Sequence, residues 1–267
     1  MASQAARAVK AGFQGFPAEG VQFLRSLTRN NRREWFQPRK HIYEEQLKAP
    51  MADLVTALTA EMMRFAPDYV ADPAKAIYRI YRDTRFSKDK TPYKTHIAAI
   101  FPRRGLAKHG GAGLYFSVSA KEIEVAAGVY MPGPDELLAI RTHLAEHHQE
   151  FRKIVGARKL RSLAGELHGE QLSRVPKGFA CDHPAADLVR YRQWLLYVML
   201  DPALATTARL LAEIRKRFEV MTPFNDFLNA PLVNKRSRPL QDSEDILNLF
   251  GTACGDPDHN LRRKRRR

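Results

Sequence analysis

The residues with the clearest chemical potential lie in one short basic stretch, residues 79–94. Guanidinium groups present planar forks of N–H donors that match phosphate and carboxylate oxygens, and lysines add point charges to the same field. These residue types, with two aspartates to orient the cations and a tyrosine to add a hydroxyl or stacking face, predict an anion-binding site. The candidate ligand-binding residues are Arg79, Arg82, Asp83, Arg85, Lys88, Asp89, Lys90, Tyr93 and Lys94, with Lys177 from a later turn.

The same stretch is open to a second interpretation, an internal network of ion pairs that anchors a loop. Clusters of perturbed charged groups arise in structural networks as well as in functional sites. Cations outnumber acids in the stretch, and loops carried on a rigid scaffold often bind ligands. These two points favour binding, while the network remains the alternative.

The net charge of the chain is concentrated in two places. The 267 residues carry a formal charge of +15, and the last six residues, 262–267, supply six of it. Residues 75–108 hold ten Lys and Arg against Asp83 and Asp89, which accounts for nearly all the remaining excess. Such a local field attracts phosphates, nucleic acid or acidic metabolites, and the attraction should weaken with salt.

Enzyme signatures are sparse in this sequence. His143, Glu146 and His147 match the H-x-x-E-H pattern, in which two histidines bind zinc. The match is short and no third ligand is identifiable, so a solvated helix face explains it and no metal is predicted. The chain has no G-x-S-x-G nucleophile elbow, no G-x-x-x-x-G-K-[ST] phosphate loop and no G-x-G-x-x-G fingerprint. No cofactor is predicted, and the sequence does not decide whether the protein is an enzyme.

Segments with helical periodicity lie before and after a central β-rich region of the sequence. Apolar spacing predicts helices over residues 17–27, 43–65 with a bend at Pro50, 133–151, 157–168, 187–199 and 204–221, then a short one at 225–228. Alternating or β-branched runs predict strands over residues 76–82, 96–101, 113–119 and 122–130. The short link Ala120-Lys121 fits a hairpin. The order predicts an α+β fold, in which N-terminal and C-terminal helices pack on an antiparallel meander of about four or five strands.

Two local features bear on the basic stretch. In the predicted strand 76–82, arginines alternate with apolar residues on both faces, so one guanidinium should be half-buried against a partner such as Asp83. Asn31, with Glu34 three residues on, resembles a capping box that would begin a helix.

Several of these signatures occur together in a recognisable order. They are Asn30-Asn31 before Trp35-Phe36, the run from Arg79 to Lys94, and Pro176-Lys177-Gly178-Phe179 followed by Asp182-His183-Pro184. In this order they resemble the conserved hypothetical family called domain of unknown function 2461, over most of residues 16–230. The resemblance implies a single compact domain and supplies no established activity.

The chain is expected to have three parts. They are a disordered leader over residues 1–15, one α+β domain over residues 16–230, and a C-terminal extension over residues 231–267 that ends in a basic tail. No apolar run reaches the roughly 18 residues needed to cross a bilayer, and no secretory signal precedes the domain. A cytoplasmic protein without a membrane partner is therefore predicted.

Two classes of function follow from these observations. In the first, the protein binds a phosphorylated or carboxylated small molecule in a pocket built around residues 79–94, where Asp83, Asp89 or Tyr93 are candidates for acid–base chemistry. In the second, a non-enzymatic protein uses the same patch and the basic tail to bind nucleic acid or an acidic partner. A concave pocket favours the first class, and a flat exposed basic surface favours the second.

Overall fold

The computed structural model describes residues 12–234 of the chain. The predictions for residues 1–11 and for residues 235–267, including the basic tail, lie outside the described residues. Near the start of the described part, Phe13 is buried and packs edge-on against Phe16 at 5.6 Å between ring centroids. Among residues 12–234, no helix has the length and apolar content required to span a membrane.

The N-terminal layer is helical and consists of α1 (Ala18–Arg29), α2 (Arg33–Phe36), α3 (Lys40–Tyr43) and α4 (Ala49–Met62). α1 buries Phe23, Leu24 and Leu27, the stripe that its helical spacing predicts. The chain between α3 and α4 forms a wider turn of π type at Glu44–Lys48, directly before Pro50. A proline offers no N–H to the carbonyl four residues earlier, so the bend predicted at Pro50 takes the form of this wider turn.

The centre of the fold is an antiparallel sheet. Its strands are β1 (His96–Pro102), β2 (Gly113–Ser119), β3 (Ile123–Val129) and β4 (Trp194–Leu200), and they lie side by side in that order. Ala120 and Lys121 form the hairpin turn between β2 and β3, where the Ser119 N–H donates to the Glu122 carbonyl over 3.0 Å. The predicted α+β meander is confirmed.

Further helices flank the sheet. α5 (Pro73–Ala76) precedes β1, the helices α6 (Pro134–Glu146), α7 (His148–Gly156), α8 (Arg158–Ala164) and α9 (Ala186–Val189) connect β3 to β4, and α10 (Arg209–Asn234) follows β4. α10 lies on the inner face of the sheet, where Phe218 packs against Phe101 at 5.6 Å and Phe116 at 6.4 Å. This contact closes the main core.

The two faces of the sheet differ in burial. Phe116, Val125 and Leu196 point to the inner face and are fully buried. Tyr115 and Ala126, their neighbours along the strands, point to the other face and are only partly buried, while Tyr197 is 37% exposed. This second face, the outer face, is open to solvent and carries the cleft described below.

The predicted strand over residues 76–82 is wrong. α5 ends at Ala76, Ile77 makes a single bridge to Ala99 of β1, and the chain then turns away. A continuous ladder would have to place charged side chains on both faces of the strand, and unpaired buried guanidinium groups are costly. The segment instead leaves the sheet edge after one bridge.

The predicted helix over residues 187–199 is also wrong. Helix α9 is one turn long, and Trp194–Leu200 forms β4, in which Ala127 of β3 lies opposite Leu196. Without β4, the N–H and C=O groups on the outer edge of β3 would have no strand partner. Sheet pairing thus overrides the helical spacing of Leu188, Tyr191 and Leu195.

The C-terminal helix is longer than predicted. α10 continues through Pro223 and past residues 225–228 to Asn234 as a single helix. A proline inside a helix costs about 3 kcal/mol. Beyond it Phe224, Phe227 and Leu228 are buried, and burial of each such side chain contributes about 1.5–3 kcal/mol. The free energy contributed by burial of these three side chains therefore exceeds the cost of Pro223.

We expect Gly128→Ala to lower the free energy of unfolding by more than about 2 kcal/mol. Gly128 has a φ of +123°, and a Cβ there would collide with the Trp194 carbonyl of β4. Urea unfolding followed by circular dichroism measures the change. Gly105→Ala is the control, because Gly105 also has a positive φ (+82°) but no atom within 4 Å of an added Cβ. Gly105→Ala should lower the free energy of unfolding by no more than the roughly 1–2 kcal/mol of backbone strain. Equal losses for the two variants would contradict the close approach of β3 and β4.

Candidate functional site

The basic stretch folds back on itself as a closed loop, here called the basic loop (residues 79–94). The Arg82 N–H donates to the Pro92 carbonyl over 2.9 Å, and the Lys94 N–H donates to the Ile80 carbonyl over 2.8 Å. Tyr81 and Tyr93 face each other across an antiparallel bridge. The two ends of the loop therefore pair with each other, and the residues between them extend into solvent.

Asn31 fixes the second end of the basic loop. Its side-chain Nδ2 donates to the Tyr93 carbonyl over 2.8 Å, and its Oδ1 accepts from the Tyr93 N–H over 3.1 Å. The predicted capping box is wrong, because Arg32 is the residue before α2 and no side chain caps this helix. A side-chain amide carries an NH2 donor group and an acceptor oxygen, and Asn31 uses both on one backbone unit, as a residue of a neighbouring strand would.

The Tyr93 ring faces the core. It is 2% exposed and stacks on Phe36 of α2 at 4.1 Å between centroids. Burial raises the pKa of its hydroxyl. The contacts in the structure therefore make Tyr93 an anchor for the basic loop, although the sequence nominates it as a ligand contact.

Two ion pairs lie inside the basic loop. Arg82 binds Asp89 and the hydroxyl of Thr91, and Arg85 binds Asp83 through two donors at 3.0 and 2.7 Å. Arg82 is the half-buried arginine that the sequence predicts, since its side chain is 27% exposed. Its carboxylate partner is Asp89 rather than Asp83.

These bonds stabilise the ionised form of both aspartates. Hydrogen bonds from the side chain and backbone of Arg85 lower the pKa of Asp83 to about 2. The Thr91 N–H and the Arg82 guanidinium lower the pKa of Asp89 to about 2 as well. A general acid or base works best when its pKa lies near the operating pH, so neither carboxyl group is suited to proton transfer at neutral pH.

The other cations of the basic loop differ in their surroundings. Lys90 donates to the Thr84 carbonyl over 2.9 Å, while Arg79 and Lys88 are exposed. Lys94 is partly buried, and its Nζ lies 4.8 Å from the centroid of the Tyr78 ring. Arg82, Arg85 and Lys90 thus each have a partner inside the loop, whereas Lys94 lies in a separate, aromatic setting.

Lys108, outside the basic loop, shares this setting with Lys94. Its Nζ lies 4.3 Å from the centroid of the same Tyr78 ring and donates to the Lys75 carbonyl over 2.9 Å. Burial lowers the pKa of both lysines, and the charges of Arg79 and Lys108 lower that of Lys94 further. Within residues 12–234, neither ammonium group forms an ion pair with a carboxylate. Two cations therefore contact the same aromatic ring, and neither has an acidic partner among these residues.

A cleft of about 520 Å³ begins at Tyr78 and runs over the outer face of the sheet. Strand residues form its floor, with Tyr115 on β2, Glu124 and Ala126 on β3, and Tyr197 on β4. His109, from the link between β1 and β2, lies parallel to the Tyr78 ring at 6.0 Å between centroids. The cationic pair at Tyr78 thus lies at the rim of a largely aromatic and apolar cleft.

Glu124 is the acidic side chain of the cleft floor. Burial raises its pKa, and the charge of Glu122 adds to the effect. Burial also raises the pKa of the Tyr78 hydroxyl to about 12 and lowers the pKa of His109. The cleft therefore disfavours charge on groups that lie inside it, while cations gather at its rim.

Sequence reasoning missed Lys108 and the cleft floor. In the sequence, Tyr115 alternates with apolar residues in β2, and Glu124 and Ala126 alternate with apolar residues in β3. This alternation indicates that one face of the sheet is buried, but it does not indicate a cleft on the other face. The missing information was the position of β4, which supplies Tyr197.

Lys177 lies in the long connection between α8 and α9 and is exposed. In the same turn, Phe179 is buried in a small cluster with Ala145 of α6 and Val189 of α9. The signature Pro176-Lys177-Gly178-Phe179 therefore packs onto α6 and α9 through Phe179, whereas the basic loop packs onto α2 through Tyr93.

The fold and the cleft define an α+β protein with an antiparallel meander, covered by helices on one face and open on the other. The chain belongs to the family described as conserved hypothetical protein (DUF2461), whose model matches residues 19–227. No curated protein and no solved structure gives a significant match. The family carries no described activity, so the chemistry has to be inferred from the site.

Asn31→Ala should destabilise the protein and loosen the basic loop. The substitution removes both hydrogen bonds to the Tyr93 backbone, and each buried group left unpaired costs about 1–3 kcal/mol. Urea unfolding measures the loss, and hydrogen exchange at the Tyr93 amide locates it. Asn30→Ala is the control, because Asn30 makes one side-chain bond, to the Ser26 carbonyl at the end of α1. An unchanged rate of amide hydrogen exchange at Tyr93 in Asn31→Ala would contradict the role of Asn31 in holding the basic loop.

Glu124→Gln should raise the thermal stability at pH 7 and have less effect at pH 4. The folded state raises the pKa of Glu124, so the folding stability that this group contributes is present at low pH and is lost as pH rises through the folded pKa. Differential scanning calorimetry at both pH values measures the difference in Tm. Glu45→Gln, an exposed helix position, controls for loss of one negative charge. A Tm difference for Glu124→Gln that does not change with pH would contradict the raised pKa.

Proposed function

We propose that the protein binds a phosphorylated or carboxylated small molecule, with the apolar or planar part of the ligand in the cleft and its anionic group at Lys94 and Lys108. The observation that carries the proposal is the pair of ammonium groups over the Tyr78 ring at the cleft rim. The proposal covers binding and assigns no reaction.

Electrostatics supports an anion at this position. The pKa of Lys94 is lowered by burial and by two neighbouring cations, which means that its charged form is disfavoured as it stands. An anion between the lysines would reverse that effect, because an opposite charge within about 4–6 Å favours the charged form. Binding would thus relieve an unfavourable charge arrangement as well as form new hydrogen bonds.

The shape of the site supports a small molecule. A volume of about 520 Å³ lies within the roughly 300–1,000 Å³ of typical ligand pockets, which are mostly apolar with a few polar groups that fix orientation. Tyr115 and Tyr197 offer ring faces, and Glu124 offers one polar group on the floor. This distribution suits a ligand with a flat body and one anionic end.

The proposal divides the basic loop into two roles. The pairs Arg82–Asp89 and Arg85–Asp83 stiffen the loop, and Lys94, with Arg79 nearby, faces the ligand. Of the ligand-binding residues that the sequence nominates, the proposal retains Lys94 and Arg79 next to the ligand. It adds Lys108 to them.

A second candidate function, binding of nucleic acid, rests on the tip of the basic loop. Phe86 is 95% exposed, and the Arg85 guanidinium lies 5.7 Å from the centroid of its ring. An exposed aromatic ring among cations can stack on an unpaired base while the cations contact phosphates. This function would use the loop tip rather than the cleft, so the two candidates are separable by substitution.

We expect Lys94→Met and Lys108→Met each to weaken binding of phenyl phosphate about 10-fold to 100-fold, the cost of losing one hydrogen bond to a charged group. Methionine keeps the apolar stem, so loss of packing is small. Isothermal titration calorimetry measures affinity, with inorganic phosphate as a second probe for the anionic group alone. Lys121→Met, at the exposed turn between β2 and β3, is the matched control.

Equal affinity of both probes for the wild type and the two lysine variants would contradict the cleft site. A single-stranded oligonucleotide titrated against the same variants and Phe86→Ser tests the second candidate. Binding that is lost in Phe86→Ser and kept in Lys94→Met would favour the loop tip over the cleft.

A further inference from the structure

A cluster of two histidines and one glutamate lies at the C-terminal end of α6, apart from the residues that form the cleft. His143, Glu146 and His147 each offer one ligand atom, and these three atoms lie within 4.8 Å of one another. Glu146 lies three and His147 four positions after His143, a spacing that brings each of them near His143, and His147 is the first residue beyond the end of the helix. The sequence pattern identifies the two histidines, and the structure supplies Glu146 as the third donor.

We propose that this cluster binds a divalent transition-metal ion, with Zn²⁺ as the reference ion. Two imidazole nitrogens and one carboxylate oxygen form a donor set typical of Zn²⁺, Co²⁺ and Ni²⁺, and unlike the all-oxygen sets of Mg²⁺ and Ca²⁺. Three protein ligands leave at least one coordination position for water or another ligand. Sites of this kind differ from closed structural zinc sites, in which the protein supplies all four ligands.

The geometry requires only small adjustments. Bonds of about 2.0–2.2 Å in a tetrahedral site place the ligand atoms roughly 3.3–3.6 Å apart, so the side chains must close by about 1 Å. Glu146 and His147 are exposed and free to adjust, and the His147 Nε2 and Glu146 Oε2 atoms already lie 3.8 Å apart. Little rearrangement of the helix is needed.

His143 provides a fixed point for the site. It is partly buried, its ring packs against Phe227 of α10 at 4.5 Å, and the same ring lies 4.5 Å from that of His147. The contact with Phe227 limits the rotation of the His143 ring, so one ligand is oriented before the metal binds.

The cluster lies at a junction of two helices. α6 ends at Glu146 after 13 residues, and α7 begins at His148, so the negative end of one helix dipole and the positive end of the next lie close together and offset each other. The Glu146 carboxylate therefore supplies the negative charge that stabilises a cation here. The proposal is independent of the cleft and of any anionic ligand there.

Titration of untagged, full-length, metal-free protein with Zn²⁺ tests the proposal. We expect one Zn²⁺ per chain by calorimetry, and at least about a tenfold loss of affinity in each of His143→Gln, Glu146→Gln and His147→Ala, since even outer changes at metal sites cost about 10-fold to 100-fold. His41→Ala and Asp135→Asn, at exposed positions, control for loss of a histidine and of a carboxylate. Co²⁺ absorption provides a second readout, because its d–d bands report the number and type of ligands.

Three outcomes would overturn the site. They are the absence of saturable one-to-one binding, affinity that is the same in all variants, and loss confined to the two histidine variants, which would remove Glu146 from the ligand set. Because His143 packs against Phe227, the Tm of His143→Gln without metal is compared with that of the wild type. If that variant fails to fold, the exposed Glu146→Gln and His147→Ala decide the outcome.

Discussion

Burial of the Tyr93 ring is the interaction on which the basic loop depends. The ring stacks on Phe36, and Asn31 binds both backbone groups of the same residue. The next residue, Lys94, is therefore held at the sheet edge, where its ammonium group reaches the Tyr78 ring. The loop between its two ends carries mainly charged and polar side chains, which bury too little apolar surface to offset the entropy of ordering by themselves. Burial of the Tyr93 ring supplies the apolar contact that the rest of the loop lacks.

The basic residues are divided by their partners rather than by their position in the chain. Arg82 and Arg85 meet aspartates inside the loop, where exposed pairs contribute little to stability but fix geometry. Lys94 and Lys108 meet an aromatic ring, which accepts a cation on its face without neutralising it. A stretch that reads as one patch in the sequence is thus a stiffened loop next to a separate cationic pair. That pair lies beside the cleft because β1 carries both the loop and the link that contains Lys108.

Prediction from the sequence succeeded where the determining contacts are local. The hairpin between β2 and β3 needs only a two-residue turn and alternation on both sides, and the stripe of α1 is visible within one helix. Prediction failed at β4, whose residues also fit helical spacing, because the partner strand β3 lies more than 60 residues earlier in the chain. Prediction failed again at Pro223. The local propensity of proline predicts that the helix ends there, whereas burial of Phe224 and Phe227 stabilises its continuation. At the site, it found the residues of the basic loop and missed Lys108 and Glu124.

The sequence by itself determined the α+β class, the family and the segment that concentrates positive charge, because each depends on composition, periodicity or the order of short motifs. Only the tertiary structure decided which cations are paired, where the cleft lies and that His143 packs against Phe227. The reason is physical: the energy of a charge depends on burial and on partners a few ångströms away. Asn31 and Tyr93 are 62 residues apart, and the chain must fold before such neighbours meet.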